Sequence, residues 1–240
     1  MKEKSLKSVL EKVKNNQPKR FFPDYKSTFL RSPKKKLLEY IPTNTEMTGP
    51  LFNENIINQN SNDLTINFSQ KGEKAIGQEI FVHGIVKDEY GKPQSNVLIE
   101  IWQANAGGKY RHQNDNTQVS LDPNFAGCGR FITSSDGYYS FKTIQPGAYP
   151  YPNRGTEWRP MHIHFSLFGH SFVQRLITQM YFEGDPLISL CPMINAIPDK
   201  KSRKFLISKL DFSKTESDKI LAYNFNIVLR GVNQTYFETN

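Results

Sequence analysis

The chain has 240 residues, enough for one large domain or two small ones, and 37% hydrophobic and 22% charged content is typical of a folded globular protein. No run approaches the ~18 apolar residues of a membrane span, and the N-terminus lacks the apolar core of a secretion signal, so we expect a cytoplasmic protein. A formal net charge of +8 suggests nucleic-acid binding. No nucleic-acid motif accompanies the basic clusters, so we interpret them as a solvated arm.

The first third of the chain differs in composition from the rest. Residues 1–17 are a basic extension, and the helical spacing of apolar residues predicts a short amphipathic helix over residues 1–16. Residues 18–75 are rich in Asn, Pro, Ser and Lys, which predicts an extended arm that makes subunit contacts. Residues 76–240 are predicted to be the main folded domain.

Strand-like segments rich in β-branched and aromatic residues recur from residue 79 onward. In chain order they are EIFVHGIV (79–86), VLIEIWQA (97–104), the halves of GRFITSSDGYYSFKTI (129–144), MHIHFSLF (161–168), RLITQMYF (175–182) and LAYNFNIVLRG (221–231). Asp136-Gly137 predicts a hairpin between its two flanking strands, and residues 200–210 are predicted to be a helix. The pattern predicts a mainly β fold, an antiparallel β-sandwich core with an extended N-terminal arm and one or two short helices.

One strand segment carries two of the five histidines, His162 and His164. Residues i and i+2 of a strand face the same side, so both imidazoles project together. Alone the pair is a weak signal, because satisfied core histidines give the same pattern. Cys128 and Cys191 are expected to be free thiols and are too few for a cysteine-rich metal site.

Tyrosines are the remaining candidate ligands. A phenol has a pKa near 10, so it binds best to a cation acidic enough to remove its proton, which favours Fe(III) over Zn(II) or Cu(II). Two phenolates and a hydroxide would neutralise Fe(III), and two neutral imidazoles would complete the shell. Spacing alone does not select the ligands among eleven tyrosines, and ordinary packing is the alternative.

Several long motifs, in order, resemble the intradiol ring-cleaving dioxygenases, and most closely the branch of protocatechuate 3,4-dioxygenase β subunits. They are IEIWQANAGGKYRHQND, LDPNFAGCGR, TSSDGYYSFKTIQPGAYP, WRPMHIHFS, LITQMYFEGDPLI and LAYNFNIVLRG. The resemblance runs from about Pro18, through PDYKSTFLRSP and TGPLF, nearly to the C-terminus. Residues 1–17 lie outside it.

The resemblance implies a site of one Fe(III) per chain. Its ligands fall on Tyr110, Tyr149, His162 and His164, with Tyr149 and His164 as the axial pair. Tyr149 would also accept a proton from the substrate. Catalytic roles extend to Arg159 and Gln179, and substrate contacts to Tyr25 and Tyr151. The family commonly has Trp at the position of Tyr151, so pocket packing or substrate preference is expected to differ here.

The implied reaction is cleavage of protocatechuate with O2 to 3-carboxy-cis,cis-muconate, a step of aromatic catabolism. A homologous α subunit without the iron ligands is the expected partner, in a larger hetero-oligomer. One alternative is an intradiol enzyme acting on catechol or hydroxyquinol, but those relatives carry a helical N-terminal dimerisation domain. The other is a non-catalytic β-sandwich binding module, in which all four ligand matches would be coincidental.

Overall fold

The computed structural model describes residues 18–36, 57–58, 61–153, 155–168 and 175–229. The helix predicted over residues 1–16 lies outside them. The strands are β1 Glu79–Lys87, β2 Leu98–Trp102, β3 Cys128–Ile132, β4 Tyr138–Ile144, β5 Tyr149–Pro152, β6 Thr156–Arg159, β7 His162–Phe168, β8 Arg175–Phe182, β9 Ile207–Leu210, β10 Leu221–Asn224 and β11 Ile227–Val228. The helices are α1 Thr28–Arg31, α2 Pro192–Asn195 and the 3₁₀ turns Pro186–Leu190 and Ser202–Leu206.

Two layers of strands form a β-sandwich, which confirms the predicted fold class. One layer contains β4, β1 and β10, with β11 beside β1, and the other contains β3, β2, β7 and β8. Strand β9 joins them, since it pairs antiparallel with β10 and parallel with β8. Most pairs are antiparallel, but β1 pairs parallel with both β10 and β11. The two short α-helices of the described residues match the predicted number.

The core lies between the two layers and is contacted by only one face of β7. Ile163, Phe165 and Leu167 are fully buried in the main hydrophobic cluster. Because side chains alternate along a strand, His162 and His164 lie on the opposite face. The predicted shared face of the two histidines is therefore confirmed.

The hairpin predicted at Asp136-Gly137 is wrong, although the turn itself forms. The Gly137 N–H donates to the Ser134 carbonyl at 2.9 Å, and Gly137 adopts a φ of +72° that favours glycine. However, β3 pairs with β2, whereas β4 pairs with β1 in the other layer. The segment is an arch between the layers, because Phe131 and Phe141 both enter the core, with ring centroids 5.4 Å apart.

The helix predicted over residues 200–210 is also wrong. Only a 3₁₀ turn, Ser202–Leu206, precedes strand β9. Ile207 pairs with Tyr181 of β8, and the buried Ser208 hydroxyl donates to the Tyr181 carbonyl at 2.8 Å. Hydrogen bonds to strands on both sides outweigh the local helical pattern, because tertiary context overrides intrinsic propensity.

Both cysteines are free thiols, as predicted, with Cys128 exposed and Cys191 buried. In the part of the chain that the structure describes, no helix is long and apolar enough to cross a membrane.

A buried histidine outside the site makes stability depend on pH. The Nε2 atom of His83 lies 2.9 Å from the Asp211 carboxylate, and its Nδ1 lies 3.4 Å from the Asn224 amide nitrogen. Burial lowers the pKa of His83 below its ordinary value, although Asp211 opposes this. A lowered folded-state pKa means that the unfolded chain binds the proton more readily, so stability is retained above the unfolded pKa of about 6.5 and falls below it.

We therefore expect the free energy of unfolding to fall as pH drops from 7.5 to 5.5, by at most about 1.4 kcal/mol per pH unit from this group. Denaturant unfolding of the parent and of His83→Gln at each pH measures the effect. The variant should show a flatter profile in this window. Parallel profiles would contradict the role of His83.

Candidate metal centre

Four side chains from separate parts of the chain meet on the outer face of β7. His162 and His164 come from β7, Tyr149 begins β5, and Tyr110 lies in the loop between β2 and β3. The His162 Nε2 atom lies 3.3 Å from the Tyr110 hydroxyl and 3.4 Å from the Tyr149 hydroxyl. The His164 Nε2 atom lies 3.1 Å from the Tyr110 hydroxyl. All four candidate ligands proposed from the sequence are thus joined in one cluster through His162 and Tyr110.

The tautomer of His162 suits a ligand. Its Nδ1 lies 2.6 Å from the Pro160 carbonyl oxygen, which can only accept, so Nδ1 carries the hydrogen and Nε2 offers its lone pair to the two phenols. Burial, together with the nearby Arg159 and His164, holds the pKa of His162 well below its ordinary value. The ring therefore stays neutral, as metal coordination requires.

The spacing and chemistry of this donor set fit a metal ion. Nitrogen and oxygen ligands bond a first-row cation at roughly 2 Å, so neighbours at right angles lie roughly 3 Å apart, close to the separations here. In the described residues no group of three or more His, Cys, Asp or Glu could hold a metal. The two tyrosines beside the histidines add hard oxygen donors, which as phenolates suit Fe(III).

A tight loop brings Tyr110 to Tyr149. Gly108 has a φ of +85°, and a Cβ there would lie 2.4 Å from the Ala148 carbonyl oxygen, so the two backbones can pass this closely only at a glycine. The Asp115 carboxylate accepts the Tyr110 N–H at 2.8 Å and the Thr117 N–H at 2.8 Å, which closes the turn after Tyr110. The phenol is therefore held by a fixed backbone.

An indole ring supports the second histidine. Trp102 of β2 is the strand partner of His164, and their rings stack with centroids 4.8 Å apart and an interplanar angle of 10°. Such a stack restricts rotation of the imidazole. The sequence did not single out Trp102, because only the β2–β7 register places it beside His164.

A buried arginine stands behind the four donors. Arg159, only 2% exposed, donates from Nη2 to the Gln179 Oε1 atom at 2.5 Å, and the Tyr181 hydroxyl donates to the same oxygen at 2.8 Å. Burial alone would lower the pKa of Arg159, but nearby acidic groups, Tyr181 first, outweigh it and raise that pKa. Within the described residues the Arg159 Nε donor is buried without a partner. A buried donor without a partner is rare in folded proteins.

Comparison with known proteins identifies the family of the chain. A family model described as Dioxygenase matches residues 47–231. A second model, described as Protocatechuate 3,4-dioxygenase beta subunit N terminal, matches residues 14–39. The chain belongs to the dioxygenase family.

Individual relatives of this dioxygenase cover most of its length. The protocatechuate 3,4-dioxygenase beta chain of Burkholderia cepacia is 44% identical over 93% of the chain and 94% of its own length. The alpha chain of that enzyme from Pseudomonas putida is 32% identical over 68% of the chain and 77% of its own length. These matches confirm the resemblance to intradiol enzymes and to β subunits in particular.

One solved structure is similar in both sequence and fold. It is the dioxygenase domain of a dioxygenase carbohydrate-binding protein fusion from Streptomyces sp. SirexAA-E, with 26% identity and a TM-score of 0.51. The match covers 79% of this chain and 98% of that domain.

An open cleft of about 760 Å³ in this dioxygenase is lined in part by the candidate ligands. Tyr110, Tyr149 and His164 line it, together with Trp102 and Tyr151. Burial, reinforced by Tyr25, raises the pKa of Tyr151 well above that of a free phenol, so its ring presents a neutral wall. The cleft therefore has the aromatic rings of Trp102 and Tyr151 beside the candidate ligands.

Tyr25 packs against Tyr151, which lines this cleft. It is 5% exposed, its ring centroid is 5.9 Å from that of Tyr151, and the Arg31 guanidinium lies 4.7 Å above its ring. Tyr25 is not one of the described residues that line the cleft. Direct contact between Tyr25 and substrate remains a prediction, whereas its contact with Tyr151 is observed.

Two contributors were missed from the sequence besides Trp102. They are Tyr181, which shares Gln179 with Arg159, and the Pro160 carbonyl, which sets the His162 tautomer. A signal for Tyr181 did exist, since it lies two residues from Gln179 and therefore on the same face of β8. The carbonyl of Pro160 had none, because backbone groups leave no mark in a residue pattern.

Proposed function

We propose that the chain is the iron-bearing β subunit of a protocatechuate 3,4-dioxygenase, cleaving protocatechuate with O2 to 3-carboxy-cis,cis-muconate. The observation that carries the proposal is the contact among two phenols and two imidazoles, with the His162 Nε2 lone pair directed at both phenols. The 44% identity with the Burkholderia cepacia beta chain supports the substrate.

One Fe(III) per chain would be held by Tyr110, Tyr149, His162 and His164. Bound there, it would activate the catechol ring toward O2. Tyr149 is the first residue of the β5–β6 hairpin and lines the cleft. Its phenolate can therefore reach a substrate hydroxyl and accept the proton. Tyr110 instead sits in the closed turn made by Asp115, which suits a ligand that stays in place.

Arg159 and Gln179 act as one unit. Gln179 receives two donors on its single side-chain oxygen, and this holds the guanidinium with Nε unpartnered. The guanidinium of Arg159, held in a fixed position, would stabilise negative charge that develops on the substrate. Gln179 in this arrangement orients Arg159, and Tyr181 supports Gln179.

The expected partner is a homologous α subunit in a larger hetero-oligomer, supported by the similarity to the Pseudomonas putida alpha chain. We propose a cytoplasmic enzyme with a basic extension at 1–17, an arm at 18–75 and a catalytic domain at 76–240.

Oxygen uptake by the purified iron-loaded protein tests the function. Protocatechuate, catechol and hydroxyquinol are supplied in turn, with and without a co-expressed α subunit. We expect protocatechuate to give the highest kcat/KM and a product that carries the third carboxylate. A preference for catechol or hydroxyquinol would replace the substrate assignment, and no uptake with any of them would overturn the enzymatic role.

A further inference from the structure

The hairpin formed by β5 and β6 has little support of its own. Its base carries two site residues, because Tyr149 and Arg159 face each other in register. In the described part of the chain, β5 and β6 pair only with each other. An isolated two-stranded hairpin is marginally stable in water, so contacts from elsewhere must hold it in position.

The arm segment, which we define as residues 18–36, supplies such contacts at the hairpin tip. Asn153 directly follows β5 and is 3% exposed. Its Oδ1 accepts the Lys26 N–H at 2.6 Å, and its Nδ2 donates to the Asp24 carbonyl at 2.6 Å. The two bonds hold the backbone on both sides of Tyr25, so one amide fastens the arm segment to the hairpin.

A second strand orients this amide. The Asn153 Nδ2 atom also donates to the Glu157 carboxylate of β6 at 2.7 Å. A carboxylate only accepts hydrogen bonds, which determines the end of the amide that carries the hydrogens. In this orientation Tyr25 lies against Tyr151, the aromatic wall of the cleft.

We infer that Asn153 is a positioning residue: by fastening the arm segment to the β5–β6 hairpin, it holds Tyr151 and Tyr149 where they form the cleft. The arm segment is then a structural part of its own chain's active site, in addition to any subunit contact. The expected effect on KM rests on the proposed function, whereas the expected effect on the stability of the arm segment and the hairpin does not.

Asn153→Asp is the sharpest test. It keeps an acceptor for Lys26 but turns an oxygen toward the Asp24 carbonyl and the Glu157 carboxylate, so two donated hydrogen bonds become repulsions. We expect hydrogen exchange of residues 22–30 and 149–159 to rise about thirtyfold, because two hydrogen bonds are lost together. Exchange in β7 should not change. KM for protocatechuate should rise about tenfold, with iron content retained.

Asn226→Asp is the matched control. Asn226 also accepts a backbone N–H, from Ile85, and donates through its amide, to Asn224, but these partners lie in β1 and β10 rather than in the arm segment or the β5–β6 hairpin. Asn153→Ala, which introduces no charge, repeats the test if the Asp variant does not fold. Unchanged hydrogen exchange in the arm segment would show that Asn153 does not fasten it to the hairpin. Faster exchange in the arm segment, with unchanged exchange in the β5–β6 hairpin and an unchanged KM, would overturn the positioning role. A parent protein without oxygen uptake would contradict the proposed function, and the exchange data would still decide on Asn153.

Discussion

Replacing His162 by alanine is expected to remove iron binding and the colour that accompanies it. The His162 Nε2 atom contacts both phenols and is kept unprotonated by the bond from Nδ1 to Pro160, so no other side chain can take its place. Loss of a partner that merely orients a ligand lowers metal affinity by roughly 10–100-fold, and loss of the ligand itself should exceed that. His164→Ala is expected to act in the same direction.

Iron content and the visible spectrum of the purified protein measure this effect. Phenolate bound to Fe(III) gives a charge-transfer band, so the parent should be red-brown and the variants pale. His83→Gln is a suitable control, since it alters a buried histidine that is not one of the candidate ligands. Full iron and full colour in both alanine variants would contradict the assignment of the histidines, and a colourless parent with stoichiometric iron would contradict that of the tyrosines.

Arg159→Met should separate catalysis from metal binding. The apolar side chain is similar in length but removes the buried positive charge, which we expect to lower kcat/KM by about 100- to 1,000-fold. Iron content and the visible band should be preserved, because none of the four candidate ligands is changed. Steady-state oxygen uptake and metal analysis of the same preparation give both quantities.

Arg203→Met provides the matched comparison. Arg203 donates to the Asn195 side chain and to the backbone carbonyls of Asn195 and Ile197, outside the cleft. Its loss should lower the unfolding temperature and leave turnover per iron unchanged. If Arg159→Met instead behaves like this control, Arg159 serves only to hold β6 against β8.

Local pattern was sufficient for the strands and for the face that carries the site. Strand β8 begins and ends where the segment RLITQMYF does, and β7 contains both histidines as predicted. Alternation along a strand is a property of the backbone, so it can be recognised without knowledge of neighbouring strands.

Pairing between strands could not be recognised in this way. Asp136-Gly137 makes the same turn in a hairpin as in an arch between layers, and burial of Phe131 and Phe141 decided in favour of the arch. Residues 207–210 became a strand because β8 and β10 flank them. Both decisions depend on partners distant in sequence.

For the site as a whole, the sequence by itself determined that His162 and His164 share a face, and its motifs identified the family and the candidate tyrosines. Only the tertiary structure decided the rest: the contact of Tyr110 and Tyr149 with that face, the stack of Trp102 on His164, and the hold of Asn153 on the arm segment. The physical reason is distance along the chain. A strand's pleat is set by each residue and its neighbours, whereas 127 positions separate Lys26 from Asn153, and only folding of the whole sandwich brings them together.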